Sequence, residues 1–97
     1  MFKNKSIDVV VNNVVGITTV NSSFSQKDVD SNNNKIAEIN GYIKSVTNEM
    51  EYTFIDIAAV MNKQNSNEMN GDYSTDGVHF NAAGYRVWFD VLAPYVI

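Results

Sequence analysis

The segment Val9 to Val20 constrains the fold most. Nine of its twelve residues are β-branched: Val9, Val10, Val11, Val14, Val15, Ile17, Thr18, Thr19 and Val20. Side chains branched at Cβ suit a pleated surface better than a helix. The apolar run is nearly continuous rather than alternating, as expected of a strand buried on both faces of a parallel sheet. Asn12 and Asn13 fit such a strand only at a bend, and Gly16 is read as a bend or a close backbone approach.

The rest of the chain extends this into an alternation. Asn21 to Asn34 is polar and aperiodic and reads as a loop, with Ser31 or one of Asn32, Asn33 and Asn34 as the cap of a following helix. Biased composition is an alternative explanation of the asparagine runs. In that helix Ile36, Ile39, Ile43 and Val46 form one stripe, with Glu38, Asn40 and Lys44 turned away. Gly41 weakens it by roughly 1 kcal/mol relative to alanine. Tyr52 to Ile57 reads as a second strand, Ala58 to Met61 as a helical turn and Lys63 to Tyr73 as a polar loop. A last helix is expected from a cap at Asn81 to a stop at Pro94, with Tyr85, Trp88, Val91, Leu92 and Tyr95 as its apolar, core-forming face. The order strand, helix, strand, helix predicts an α/β protein with a parallel sheet. Two strands are few for such a sheet. The 97 residues are therefore expected to be a single partial domain, or one that completes its sheet by association.

Composition narrows the function classes. The net charge is −4 and the seven Lys and Arg are scattered, which argues against a nucleic-acid partner. With no cysteine, thiolate catalysis, disulfides and cysteine zinc sites fall away, and a single histidine makes other zinc sites unfavourable. The basic start Met1-Phe2-Lys3-Asn4-Lys5 lacks the apolar core of a signal peptide, and no stretch reaches the ~20 apolar residues of a membrane span. The default expectation is a soluble chain, cytoplasmic unless a longer parent dictates otherwise.

The chemistry converges on Asp76-Gly77-Val78-His79. His79 is the only histidine, and a ring titrating near neutrality can exchange a proton there. It needs a partner to fix its tautomer, and a carboxylate three residues earlier, on a turn opened by Gly77, can fold back onto it. Taken singly, Asp76 is an ordinary turn residue and His79 an ordinary histidine. Asp56 at a strand end reads as a cap, and Asp28 and Asp30 as solvated loop residues. Asp72 and Asp76 lack the spacing of a calcium loop.

The string Asp76 to Trp88, with Asn81 and Gly84-Tyr85 in place, resembles the last motif block of the SGNH (GDSL-type) ester hydrolases. Asn32 to Tyr42 followed by Phe54-Ile55-Asp56-Ile57 resembles their penultimate helix and strand. Ile17-Thr18-Thr19-Val20-Asn21 resembles their Thr-Pro-Val-Asn strand end, with Thr19 in place of proline. The resemblance implies part of a flavodoxin-like sheet, and acyl or acetyl ester hydrolysis with His79 as general base and Asp76 as its orienting acid. It implies small ester substrates, including acylated carbohydrates or lipids, and no metal or organic cofactor. The family's nucleophile sits in Gly-Asp-Ser and its oxyanion donors include Gly-x-Asn-Asp; the chain contains neither. Ser74 is too close to Asp76 to take that role. Ser22 and Ser23, after the first strand, stay open as substitutes. The chain is therefore expected to supply the His-Asp pair of an esterase, inactive alone and needing a missing N-terminal half. The alternative is a non-catalytic α/β module that completes its sheet with itself, as a homo-oligomer, or with a partner.

Overall fold

The computed structural model describes residues 9–96; the basic start Met1 to Lys5 lies outside the described residues. The elements are β1 (Val10–Asn12), α1 (Gln26–Glu49), β2 (Thr53–Ile55), α2 (Ile57–Met61), a 3-10 turn (Gly71–Tyr73) and α3 (Ala82–Val96). The strands pair in parallel, with Val10 opposite Thr53, Val11 opposite Phe54 and Asn12 opposite Ile55, and α1 is the crossover between them. The protein is thus α/β, with a two-stranded parallel sheet among the described residues.

The first strand is far shorter than its composition predicts, and the cause lies at Asn13. This buried residue donates its side-chain amide to Asp56 Oδ1 (2.8 Å) and accepts from Ala58 N (2.9 Å). The amide thereby ties the chain to the start of α2 and draws it off the ladder. Residues 14–17 then find strand-like partners on a helix. Asn40 accepts from Val14 N and donates to Val14 O, both at 2.8 Å. Asn33 does the same for Ile17, at 2.8 and 2.9 Å. Seven helical residues rise about 10.5 Å, and three extended residues about 10 Å. Two asparagines two turns apart therefore match Val14 and Ile17 and satisfy backbone groups that a neighbouring strand would otherwise take. Gly16 is the close approach expected of it: a Cβ there would stand 1.8 Å from the Asn67 carbonyl oxygen.

Helix α1 overturns the reading of Asn21 to Asn34 as a loop. It starts at Gln26, capped not by Ser31 or an asparagine but by Ser25, whose hydroxyl accepts from Asp28 N at 3.1 Å. Asp28 thus belongs to its first turn, where negative charge suits the helix dipole, and Asp30 lies in the helix just beyond it. The asparagine run stays helical because buried Asn33 exchanges its weak propensity for two long-range hydrogen bonds. The inward face is Val29, Asn33 and Thr47, with half-buried Ile36, Asn40 and Ile43 between them. The expected apolar stripe is therefore rotated: Ile39 and Val46 are 50% and 55% exposed, and Asn40 points at the chain rather than away from it.

Strand β2 is shorter than Tyr52 to Ile57. Ile57 begins α2, which Asp56 caps, as expected, by accepting from Ala59 N at 3.1 Å. Asn81 caps α3 by accepting from Gly84 N at 2.9 Å. That helix does not stop at Pro94, which stands inside its last turn. The ring costs one hydrogen bond there, with only two residues left to hold. Tyr85 and Tyr95 are exposed and Trp88, Val91 and Leu92 only half-buried, so this face is not the closed core expected of it. The core consists of Val29, Ile55, Ile57, Ala58, Met61 and Met69, and as many polar residues are buried beside it: Asn13, Thr18, Asn33, Thr47, Glu68 and Ser74. With apolar burial this limited, satisfied polar contacts carry much of the specificity. No described helix is long and apolar enough to cross a membrane.

Candidate active site

Residues 74–80 form a hook. Ser74 and Phe80 pair as an isolated antiparallel bridge, and Thr75 N donates to His79 O at 3.0 Å. The turn between them needs Gly77, whose φ is +96°, a region open mainly to glycine. The buried Ser74 hydroxyl fills the hook, accepting from Gly77 N (2.7 Å) and donating to His79 O (3.1 Å).

Asp76 performs two tasks with one carboxylate. Oδ1 accepts from Val78 N (2.9 Å) and His79 N (2.8 Å), which closes the turn. Oδ2 lies 2.7 Å from His79 Nδ1. The contacts that close the turn and the contact with the imidazole thus coexist in one carboxylate. The His79 amide, then its ring, then the Val78 amide hold the Asp76 carboxyl well below the usual carboxylate range. An ionised Oδ2 accepts, so Nδ1 donates and the Nε2 lone pair of the neutral ring points outward. The His79 side chain is 72% exposed and that of Asp76 48%.

Asn81 links the hook to its surroundings through Asn81 N to Tyr73 O and its side-chain amide to Asp72 O, both at 2.8 Å, while also capping α3. Two longer-range bonds tie the hook to the chain after β1: Thr18 N to Gly77 O (2.9 Å) and the Asn21 side-chain amide to Ser74 O (3.2 Å). An open groove of about 460 Å³ lies beside the hook, with Val14, Val15, Ile17, Val78, Phe80 and Trp88 among its walls. It could seat an apolar group.

The other candidates fall apart from the pair. The Ser22 hydroxyl is held by the carbonyls of Thr18 and Thr19, each at 3.0 Å, and accepts from Phe24 N. Ser23 is exposed, and among the described residues the ring of His79 makes its hydrogen bond to Asp76 rather than to any serine. Asp72 is exposed in the 3-10 turn, whose cap Asn70 accepts from its amide. No group of three or more His, Asp and Glu side chains converges among the described residues. Sequence reasoning missed the supports, Thr18, Asn33, Asn40, Glu68 and Ser74. Only Ser74, three residues before the turn glycine, carried a local signal.

The sequence model of GDSL-like lipases and acylhydrolases matches residues 1–92. Two crystal structures share the fold. One is a protein assigned as an acylhydrolase from Bacteroides fragilis, at 22% identity and a TM-score of 0.72, covering 96% of this chain and 43% of that one. The other is a GDSL-like lipase from Bacteroides thetaiotaomicron, at 20% identity and a TM-score of 0.72, covering 96% and 44%. The chain thus spans less than half the length of either. No curated protein matches it.

Proposed function

This chain belongs to the GDSL-like lipase/acylhydrolase family, and from that premise we propose that Asp76 and His79 are the acid–base pair of an ester hydrolase whose serine comes from a segment beyond these 97 residues. The observation that carries the reading is the 2.7 Å contact between His79 Nδ1 and Asp76 Oδ2 on an exposed hook. Nε2 takes the proton of a serine hydroxyl as its oxygen bonds to the ester carbonyl carbon. It then returns that proton to the departing alcohol, and water repeats the cycle to release the acid. Asp76 stays ionised and stabilises the imidazolium. The apolar groove beside the hook suits the acyl chain of an acylated carbohydrate or lipid. The 97 residues act as one partial domain, inactive alone for want of a nucleophile and oxyanion donors, whose electrostatic stabilisation is often the largest catalytic contribution.

A fluorophosphonate probe and an acyl-ester assay test this, on the chain alone and joined to a half bearing Gly-Asp-Ser. We expect no labelling alone, and activity in the joined form that His79→Ala abolishes but Ser22→Ala and Ser23→Ala spare. Labelling of the lone chain that Ser22→Ala removes would refute the division of labour.

The exposure of Val14, Ile39, Val46, Val78 and Phe89 supports a second reading, a module that associates to cover apolar surface. A sedimentation coefficient that stays monomeric across a concentration series would defeat it.

A further inference from the structure

We propose that Glu68 is a positioning residue for His79, acting through Thr18; the proposal rests on the reading of His79 as the proton acceptor. Glu68 comes from the polar loop after α2, yet it is only 7% exposed. A carboxylate is not buried without partners, and these partners are specific. Oε2 accepts from the hydroxyl of Thr18 at 2.8 Å. Oε1 accepts from the Gln26 side chain at 3.1 Å and faces Lys63 Nζ at 3.4 Å. Burial opposes the charge, but the bonds from Thr18 and Gln26 together with the Lys63 ammonium outweigh it and hold the carboxyl below its ordinary value.

Thr18 is the pivot. It is fully buried, and the hydroxyl that donates to Glu68 also accepts from Val20 N at 3.2 Å. Those two bonds fix the backbone so that Thr18 N meets Gly77 O, in the middle of the Asp76–His79 turn. The same segment closes on the glycine itself: a Cβ on Gly77 would stand 2.5 Å from Ser22 Cβ and 2.7 Å from Thr18 O, and Ser22 is itself bonded to Thr18 O. The bonds inside the hook are local and set the imidazole against its carboxylate. The contacts from residues 18–22 set where the whole pair sits relative to the sheet, and Glu68 braces them from behind. A serine on a separate segment must meet Nε2 within hydrogen-bond reach, so this placement governs the proton transfer.

Hydrogen exchange on the 97-residue chain tests the brace, and kinetics on the joined form test its purpose. Glu68→Ala and Thr18→Val should each speed exchange of the Thr18 amide about tenfold, the scale of one lost hydrogen bond. The double variant should add little, because both remove the same contact. Glu68→Gln and Thr18→Ser keep an acceptor and a hydroxyl and should restore protection, and the Val29 amide should stay unchanged throughout. In the joined form, Glu68→Ala should lower kcat roughly ten- to hundredfold with KM within about twofold, as displacement of a catalytic group does. Additive effects spread over the core, or a glutamine variant as damaging as alanine, would overturn the brace. An exposed Thr18 amide with kcat intact would overturn the positioning role while His79 kept its own. Activity surviving His79→Ala would remove the reading beneath the proposal, and the proposal with it.

Discussion

Asn33→Ala should cost much more than Asn40→Ala, although each removes two hydrogen bonds of similar length from the same helix. A net hydrogen bond is worth about 1 kcal/mol, and a buried donor left unpaired adds about 1 kcal/mol or more. Asn33 is 3% exposed. Its loss orphans Ile17 N–H, while Ile17 O keeps a bond from Met69 N at 3.3 Å. The gross cost is about 2–3 kcal/mol. Alanine's better helix propensity returns about 0.7 kcal/mol, leaving a net loss of about 1.3–2.3 kcal/mol. The Asn40 bonds lie in an exposed setting, where water replaces them, so about 0.5–1 kcal/mol is lost and most of it returned. Asn33→Asp serves as a check, since it keeps the acceptor for Ile17 N–H but sets a carboxylate oxygen against Ile17 O. It should cost no less than alanine. Urea unfolding followed by Trp88 fluorescence and far-ultraviolet circular dichroism measures all three. Equal costs for Asn33→Ala and Asn40→Ala would refute the idea that these side chains stand in for a missing strand.

Gly77→Ala should destabilise by about 2 kcal/mol or more, because it combines a positive φ with backbone 2.7 Å away at Thr18 O; a thermal melt unchanged from the parent would contradict this. Gly41→Ala should stabilise by about 0.5–1 kcal/mol in the same melts, since nothing lies within 4 Å of the added methyl and the helix gains propensity. Asp76→Asn should erase the preference of His79 for the Nδ1-protonated tautomer, read from imidazole nitrogen NMR shifts; an unchanged tautomer would deny Asp76 its orienting role. Asp76 and Glu68 are both held below their ordinary values of 3.8 and 4.5. A lowered folded-state pKa stabilises fully above the ordinary value and is lost as pH falls through the folded one. Stability should thus fall on acidification below about pH 4.5, and Asp76→Asn should flatten part of that slope in an acid titration.

Some of this architecture was legible because its causes are local. Asp-x-x-His with a glycine between is a self-contained turn, so the carboxylate and the ring meet whatever surrounds them. Asn81 and Asp56 cap through amides three residues away, and the β-branched run and the second strand announced a parallel pair. The start of α1 was not legible. Asn32-Asn33-Asn34 signals a turn in isolation, and its helical state depends on Ile17, sixteen residues away. The same holds for the rotated face of α1: hydrophobic spacing singled out Ile39 and Val46, whereas the packed face uses asparagines that no hydrophobicity pattern marks.

The order of residues settled the contact between Asp76 and His79, the strand–helix–strand–helix alternation and the lack of thiols in these 97 residues, because each depends on composition or on neighbours within a turn. Where β1 ends, which face of α1 turns inward and how Glu68 and Thr18 hold Gly77 emerged only in three dimensions. Those outcomes turn on buried polar groups finding partners far along the chain, and a buried amide or carboxylate takes whichever partner the fold brings within about 3 Å.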